Sequence, residues 1–146
     1  MQQRIITMTI SLDQANAIAN AAMAAATGEN VSGASVVVTD AGGHIRTAMR
    51  MEGAGNFGID IALAKAVTAL GLGRSSSEIS KIFGANPAAV AGLAGATAGR
   101  FLPIGGAVLI RDETGTIQGA AACAGSLPET DERYAAAAVR AAGLQT

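Results

Sequence analysis

The sequence predicts one α/β domain built on a mainly antiparallel sheet. Three observations predict it. The 146 residues are 50% hydrophobic with a mean hydropathy of +0.38, enough to bury a core within a single unit spanning 1–146. Short strand-like runs come in two pairs, each joined by a glycine-containing reversal, whereas a parallel crossover needs a helix between its strands. Helical stripes with capping signals precede, separate and follow these pairs, which sets the order α, ββ, αα, ββ, α.

Ser11-Leu12-Asp13-Gln14 fits a capping box, and Leu12, Ala15, Ile18, Ala19, Ala22, Met23 and Ala26 keep the three-and-four spacing of one buried helix face. Gly28 is placed to end that helix. From Ser35 to Thr39 β-branched residues dominate, and Ile45, Thr47, Met49 and Met51 recur with period two, so a hairpin is expected around Asp40-Ala41-Gly42-Gly43. Asp40 suits the turn because its carboxylate accepts from amides just ahead of it. On the second strand His44, Arg46, Ala48 and Arg50 share the other face, polar and cationic, and suited to an anion.

After the loop Glu52 to Asn56, the residues Ile59, Ala62, Leu63, Ala66, Val67 and Leu70 mark a second helical stripe, with Gly71 and Gly73 placed to stop it. Ile61, Lys65 and Thr68 lie on its other side, where Lys65 either meets solvent or reaches across a pocket. Ser75-Ser76-Ser77-Glu78 is a second capping box, opening a short helix to about Phe83, and Asn86-Pro87 starts a further helical turn. Gly92 to Arg100 reads as irregular. Ile104 to Ile110 reads as a strand with Gly105 and Gly106 at its entry, where a backbone or ligand can approach closely. A turn through Asp112 to Gly115 leads to an almost wholly apolar strand, Ile117 to Ala124, expected inside the sheet. Ser126-Leu127-Pro128-Glu129 offers a third capping box, and the last helix is expected to run to Gly143.

Composition excludes several partners. With a net charge of -1, a pI near 5.7 and no cluster of lysine or arginine along the chain, nucleic acid is not an expected partner. No apolar run is long enough for a bilayer, the leading MQQRIITMTI lacks the features of a signal peptide, and Cys123 is the single cysteine; cytoplasmic residence is the expectation. Nineteen glycines and only 3% aromatics leave one chain short of bulky core residues, so a homo-oligomer is expected. There is no phosphate-binding glycine loop, no dinucleotide fingerprint and no zinc-ligand spacing, and no metal site is expected from a single histidine.

Four stretches, VVVTDAGGHIRTAMRMEGA, IDIALAKA, PIGGAVLIRDETGTIQGAAACAGSLPETDE and the capped opening helix, occur in the order and spacing of one known family. On them the chain resembles the GlcG/HbpS-like family of heme-binding, DUF336 proteins, which is also similar to the PduO C-terminal domain. The resemblance implies a profilin-like α-β-α sandwich assembled into dimers or larger rings. It also implies a heme- or small-ligand-binding protein, with heme as the candidate cofactor and otherwise none. Two departures stand out: Ala107 replaces a third consecutive glycine after Gly105-Gly106, and there is no Cys-X-X-Cys-His. Any heme bond must therefore use His44, Lys65, a threonine, a methionine or Cys123.

His44 and Lys65 are the candidate catalytic residues, and Arg50, Lys65, Gly105 and Gly106 the candidate ligand-binding residues, with the pocket expected where the loop after Met51, Lys65 and Gly105-Gly106 converge. Plainer readings stand beside these. His44 can simply bond a backbone carbonyl; an exposed Lys65 would carry little stability; Arg46 and Arg50 can pair with Glu52 or Asp60; Asp131 and Glu132 oppose a helix dipole. Cys123 is expected to be a buried, inert thiol. Besides ligand binding, two functions fit the residues: a small cofactor-independent enzyme acting on an organic acid, and a non-catalytic accessory or sensor subunit.

Overall fold

The computed structural model describes residues 9–146, so the reading of the leading MQQRIITMTI as no signal peptide falls largely outside the described residues. Helix α1 (Leu12–Gly28) opens on the expected capping box: Ser11 Oγ accepts from the Gln14 amide, and Gln14 Oε1 accepts from the Ser11 amide. Strands β1 (Ser35–Asp40) and β2 (Ile45–Arg50) form the first hairpin. Then come α2 (Gly58–Leu72), α3 (Ser76–Phe83) and α4 (Pro87–Ala96), the second hairpin of β3 (Ala107–Arg111) and β4 (Ile117–Ala124), and α5 (Pro128–Ala141).

The four strands lie in the order β2-β1-β4-β3, every neighbour antiparallel. Strands β1 and β4 take the middle, and β3, although on an edge, is buried on both faces from Ala107 to Ile110. Helices α1 and α5 cover one face over Val36, Val38, Val108, Ile110, Ala121 and Cys123, while α2 covers the other over Val37, Ala107, Leu109, Ala120 and Ala122. This is the expected α/β class, an α-β-α sandwich on an antiparallel sheet. The buried residues of α2 include Ala62, Ala66 and Ala69, which meet a run of alanines in β4; short side chains on both surfaces let the helix sit close to the sheet. Across the other layer, Arg133 and Tyr134 of α5 both donate to the Glu29 carboxylate at the end of α1, and these bonds hold its pKa down to about 2. Because this pKa is depressed, the clasp acts throughout neutral pH and is lost only as the pH falls toward that value.

Several boundaries differ from expectation, each for a local reason. Gly71 lies within α2, and Gly73 in left-handed conformation ends it. The stretch after Gly92 is not irregular at once: α4 continues to Ala96 and stops where Ala98 and Gly99 take positive φ. The third capping box does not form, because Leu127 is the N-cap of α5 and the Ser126 amide donates instead to Asp131. That helix ends at Ala141, two residues before Gly143. Among the described residues no helix is long and apolar enough to cross a membrane.

Two glycine substitutions should move stability in opposite directions. A Cβ on Gly119, in β4, would sit 2.0 Å from the Thr39 carbonyl oxygen, whereas one on Gly92, in α4, meets nothing within 4 Å. In urea unfolding, Gly119→Ala should lose about 1–3 kcal/mol, and Gly92→Ala should gain roughly 0.4–1 kcal/mol. Equal effects would contradict the packing of β4 against β1.

Candidate functional site

Lys65 leaves the middle of α2 and runs into the protein rather than to solvent. It is 3% exposed, and its Nζ donates to the Cys123 carbonyl at 3.1 Å and to Asp131 Oδ2 at 3.3 Å. This corrects the reading of Lys65 as an exposed helix lysine, and the reading of Asp131 as a mere dipole partner. Asp131 is 2% exposed and its second oxygen accepts from the Ser126 amide, so the carboxylate is shared between α2 and the entry of α5. No hydrogen-bonding alternative in water remains for either charge, so each depends on the other.

Gly106 is what makes room for the ammonium. With φ at +136°, its missing Cβ would lie 2.6 Å from Lys65 Nζ and 2.7 Å from the Cys123 carbonyl oxygen. Gly105 packs in the same way against Pro128, 3.1 Å from its Cβ. The close approach expected at these glycines is thus an approach by the chain's own lysine and proline. Glu132 completes the junction: its carboxylate accepts from the Gly106 amide at 3.1 Å, the Ser77 amide at 3.1 Å and Ser77 Oγ at 2.6 Å. Its role goes beyond the dipole of α5, for it ties the entry of β3 to the first turn of α3. Ser76, fully buried, accepts from the Ala107 amide at 2.8 Å. The sequence signal for these partners was weak, because a carboxylate in a first helical turn looks the same whether it faces water or another element.

Cys123 is the buried thiol expected. Burial, and after it the nearby Asp131 carboxylate, pushes its pKa up to about 12, against the opposing pull of Lys65. Arg50, on the edge strand β2, donates from Nη1 to the Ala54 carbonyl at 3.0 Å and so fastens the loop after Met51; neither Arg46 nor Arg50 forms an ion pair with Glu52 or Asp60 among the described residues.

His44 sits at the opposite end of the sheet. The Lys65 site adjoins Cys123, which pairs with Val36 near the start of β1, while His44 follows the turn beyond Asp40 at the other end. From Val36 to Asp40 is roughly 13 Å of strand. Within one chain His44 and Lys65 are therefore not brought together. The Asp40 carboxylate accepts from the Gly42 and His44 amides, both at 2.9 Å, and the same oxygen lies 3.3 Å from His44 Nδ1. Burial acts to raise the Asp40 pKa, but the two amides and the neighbouring imidazole outweigh it, and the carboxyl stays below the ordinary aspartate value. The imidazole side chain is 83% exposed, and Nε2 is the ring nitrogen not directed at the carboxylate. A Cβ on Gly42 would press to 3.0 Å from the ring, so this glycine keeps the space the imidazole uses. The same turn residues, Gly42 and Gly43, line a hollow of about 360 Å³ together with Val67, Leu70, Arg100 and Phe101.

The family model described as haem degrading protein HbpS-like matches residues 10–140, and the chain belongs to that family. Among solved structures, PduOC in complex with heme is 26% identical with a TM-score of 0.83, over 94% of this chain and 98% of that one. The Klebsiella pneumoniae protein ORFY is 27% identical with a TM-score of 0.84, over 98% and 97%. A double mutant of HbpS from Streptomyces reticuli is 25% identical with a TM-score of 0.78, over 97% and 90%. No curated protein matches the chain.

The buried pair makes a prediction of its own. Lys65→Met leaves Asp131 charged and unpaired, and should lose about 3–5 kcal/mol in chemical denaturation. Adding Asp131→Leu should return most of that loss, since an apolar pair of similar volume replaces two desolvated charges. A Lys65→Met protein as stable as the parent would show that the lysine is solvated.

Proposed function

We propose that this member of the HbpS-like family binds a tetrapyrrole, with His44 as the residue that takes the iron. The observation that carries this reading is the exposed imidazole with Nδ1 turned to the Asp40 carboxylate, on a turn whose Gly42 and Gly43 line a largely apolar hollow. Metal-binding histidines commonly use one ring nitrogen for a carboxylate, which fixes the ring and raises the basicity of the nitrogen that binds. Of the other side chains considered as heme ligands, Lys65 is held in an ion pair and Cys123 is a buried, protonated thiol, so neither is free to serve. Val67, Leu70 and Phe101 suit the edge of a porphyrin, and Arg100 suits a propionate. Heme, when bound, supplies the redox chemistry of its iron; the chain's part is to hold and orient it. The likeness to PduOC in complex with heme, over 94% of this chain, supports tetrapyrrole binding as such.

Titration with hemin should give a Soret band that saturates. His44→Ala, at an exposed position, should stay folded yet shift or abolish that band, and Asp40→Asn should weaken binding about 10–100-fold. A parental spectrum from His44→Ala would sink the assignment.

We also propose that the chain assembles with copies of itself through α4. This helix has no charged residue and no buried residue within one chain, although it consists only of proline, alanine, valine, glycine and leucine. A helix apolar all round belongs in an interior. In sedimentation velocity the parent should exceed the 14.4 kDa of one chain, and Val90→Glu should move it toward that mass; a parent that sediments as a monomer at micromolar concentration would refute the assembly.

A further inference from the structure

We infer that the groove along the outer edge of β3, between α3 and α5, is a binding site for a small anion carrying two or more charges. This rests on different residues from the tetrapyrrole reading and is independent of it. The groove encloses about 810 Å³ and is lined by Arg74, Lys81, Arg111, Arg133 and Arg140. These are five of the chain's ten lysines and arginines, against three of its eleven acids, in a protein whose net charge is -1. Such segregation is costly between like charges unless something of opposite sign offsets it. The sequence conceals it, because the five cations come from the link between α2 and α3, the last turn of α3, the end of β3 and two turns of α5.

Two of the three acids keep their charge but are held in place by donors of the chain itself. Glu132 is bound to Ser77 and to the Gly106 amide, and Glu78 closes the capping box on Ser75. Only Glu129, at the first turn of α5, has no hydrogen bond or ion pair among the described residues. The positive charge is freer. Arg133 is taken by Glu29, but Arg111 and Arg140 each spend one nitrogen, on the Gly115 carbonyl and Thr146 Oγ1, and the side chains of Arg74 and Lys81 have no partner among the described residues. The apolar part of the lining, from Val108, Leu109 and Ala136, lowers the local dielectric and strengthens attraction to a bound anion. A cavity of this size takes a small organic ligand rather than a chain of nucleic acid.

Calorimetric titration of the full chain with citrate and with inorganic pyrophosphate tests this, with acetate as the singly charged control. At least one polyanion should bind saturably and acetate should not; the profile across the two separates a carboxylate from a phosphate ligand. Arg74→Gln and Lys81→Gln should each weaken that binding about tenfold, equivalent to roughly 1.4 kcal/mol. Glu129→Gln should tighten it severalfold, and Arg46→Gln, on β2 outside the groove, should change nothing. Unchanged far-UV circular dichroism would show that each variant is folded. The proposal is overturned if neither polyanion binds, if Arg46→Gln weakens binding as much as Arg74→Gln, or if only a long polyanion such as heparin binds.

Discussion

Lys65 and Asp131 place two full charges where almost no water reaches, and the junction of α2, β3, β4 and α5 is arranged around them. The ammonium needs acceptors, and it has the Asp131 carboxylate and the Cys123 carbonyl. It also needs volume, which Gly106 provides by having no side chain and by taking a backbone conformation that other residues avoid. Asp131 in turn holds the Ser126 amide, so the strand-to-helix corner after β4 is fixed by the same carboxylate. Removing either charge leaves the other stranded, which makes the pair a register for the corner more than a source of net stability.

A second carboxylate, Glu132, extends this register outward. By accepting from Gly106 and from Ser77 it links the glycine entry of β3 to the start of α3. Neighbouring acids on one helical turn therefore do opposite things: Asp131 is turned inward to neutralise a lysine, while Glu132 is consumed by amides and a hydroxyl. The small residues of α2 and β4 allow the helix to come near enough for Lys65 to reach across. A bulkier layer would lift the lysine away from its partners.

The far end of the sheet is built on another logic. Asp40 is held by its own turn, and in holding the turn it also orients the only histidine of the chain. Charge at this end is exposed and local, so it can serve a ligand without disturbing the core. Charge near Lys65 is buried and ties elements together, whereas the imidazole near Asp40 is exposed.

How much was legible in the sequence follows from the range of each interaction. The element order, the two hairpins, the capping boxes at Ser11 and Ser75 and the Asp40 turn depend on residues within four positions of one another, and their patterns predicted them. The inert Cys123 was legible too, from the apolar strand around it. What only the tertiary structure decided was the use of side chains whose partners lie far along the chain. Lys65 and Asp131 are 66 positions apart, and Ser77 and Glu132 55 apart. A lysine on a helix or a carboxylate in a first turn carries no local mark of burial. Its environment is set by which faces the sheet brings together, and that is a property of the whole packing.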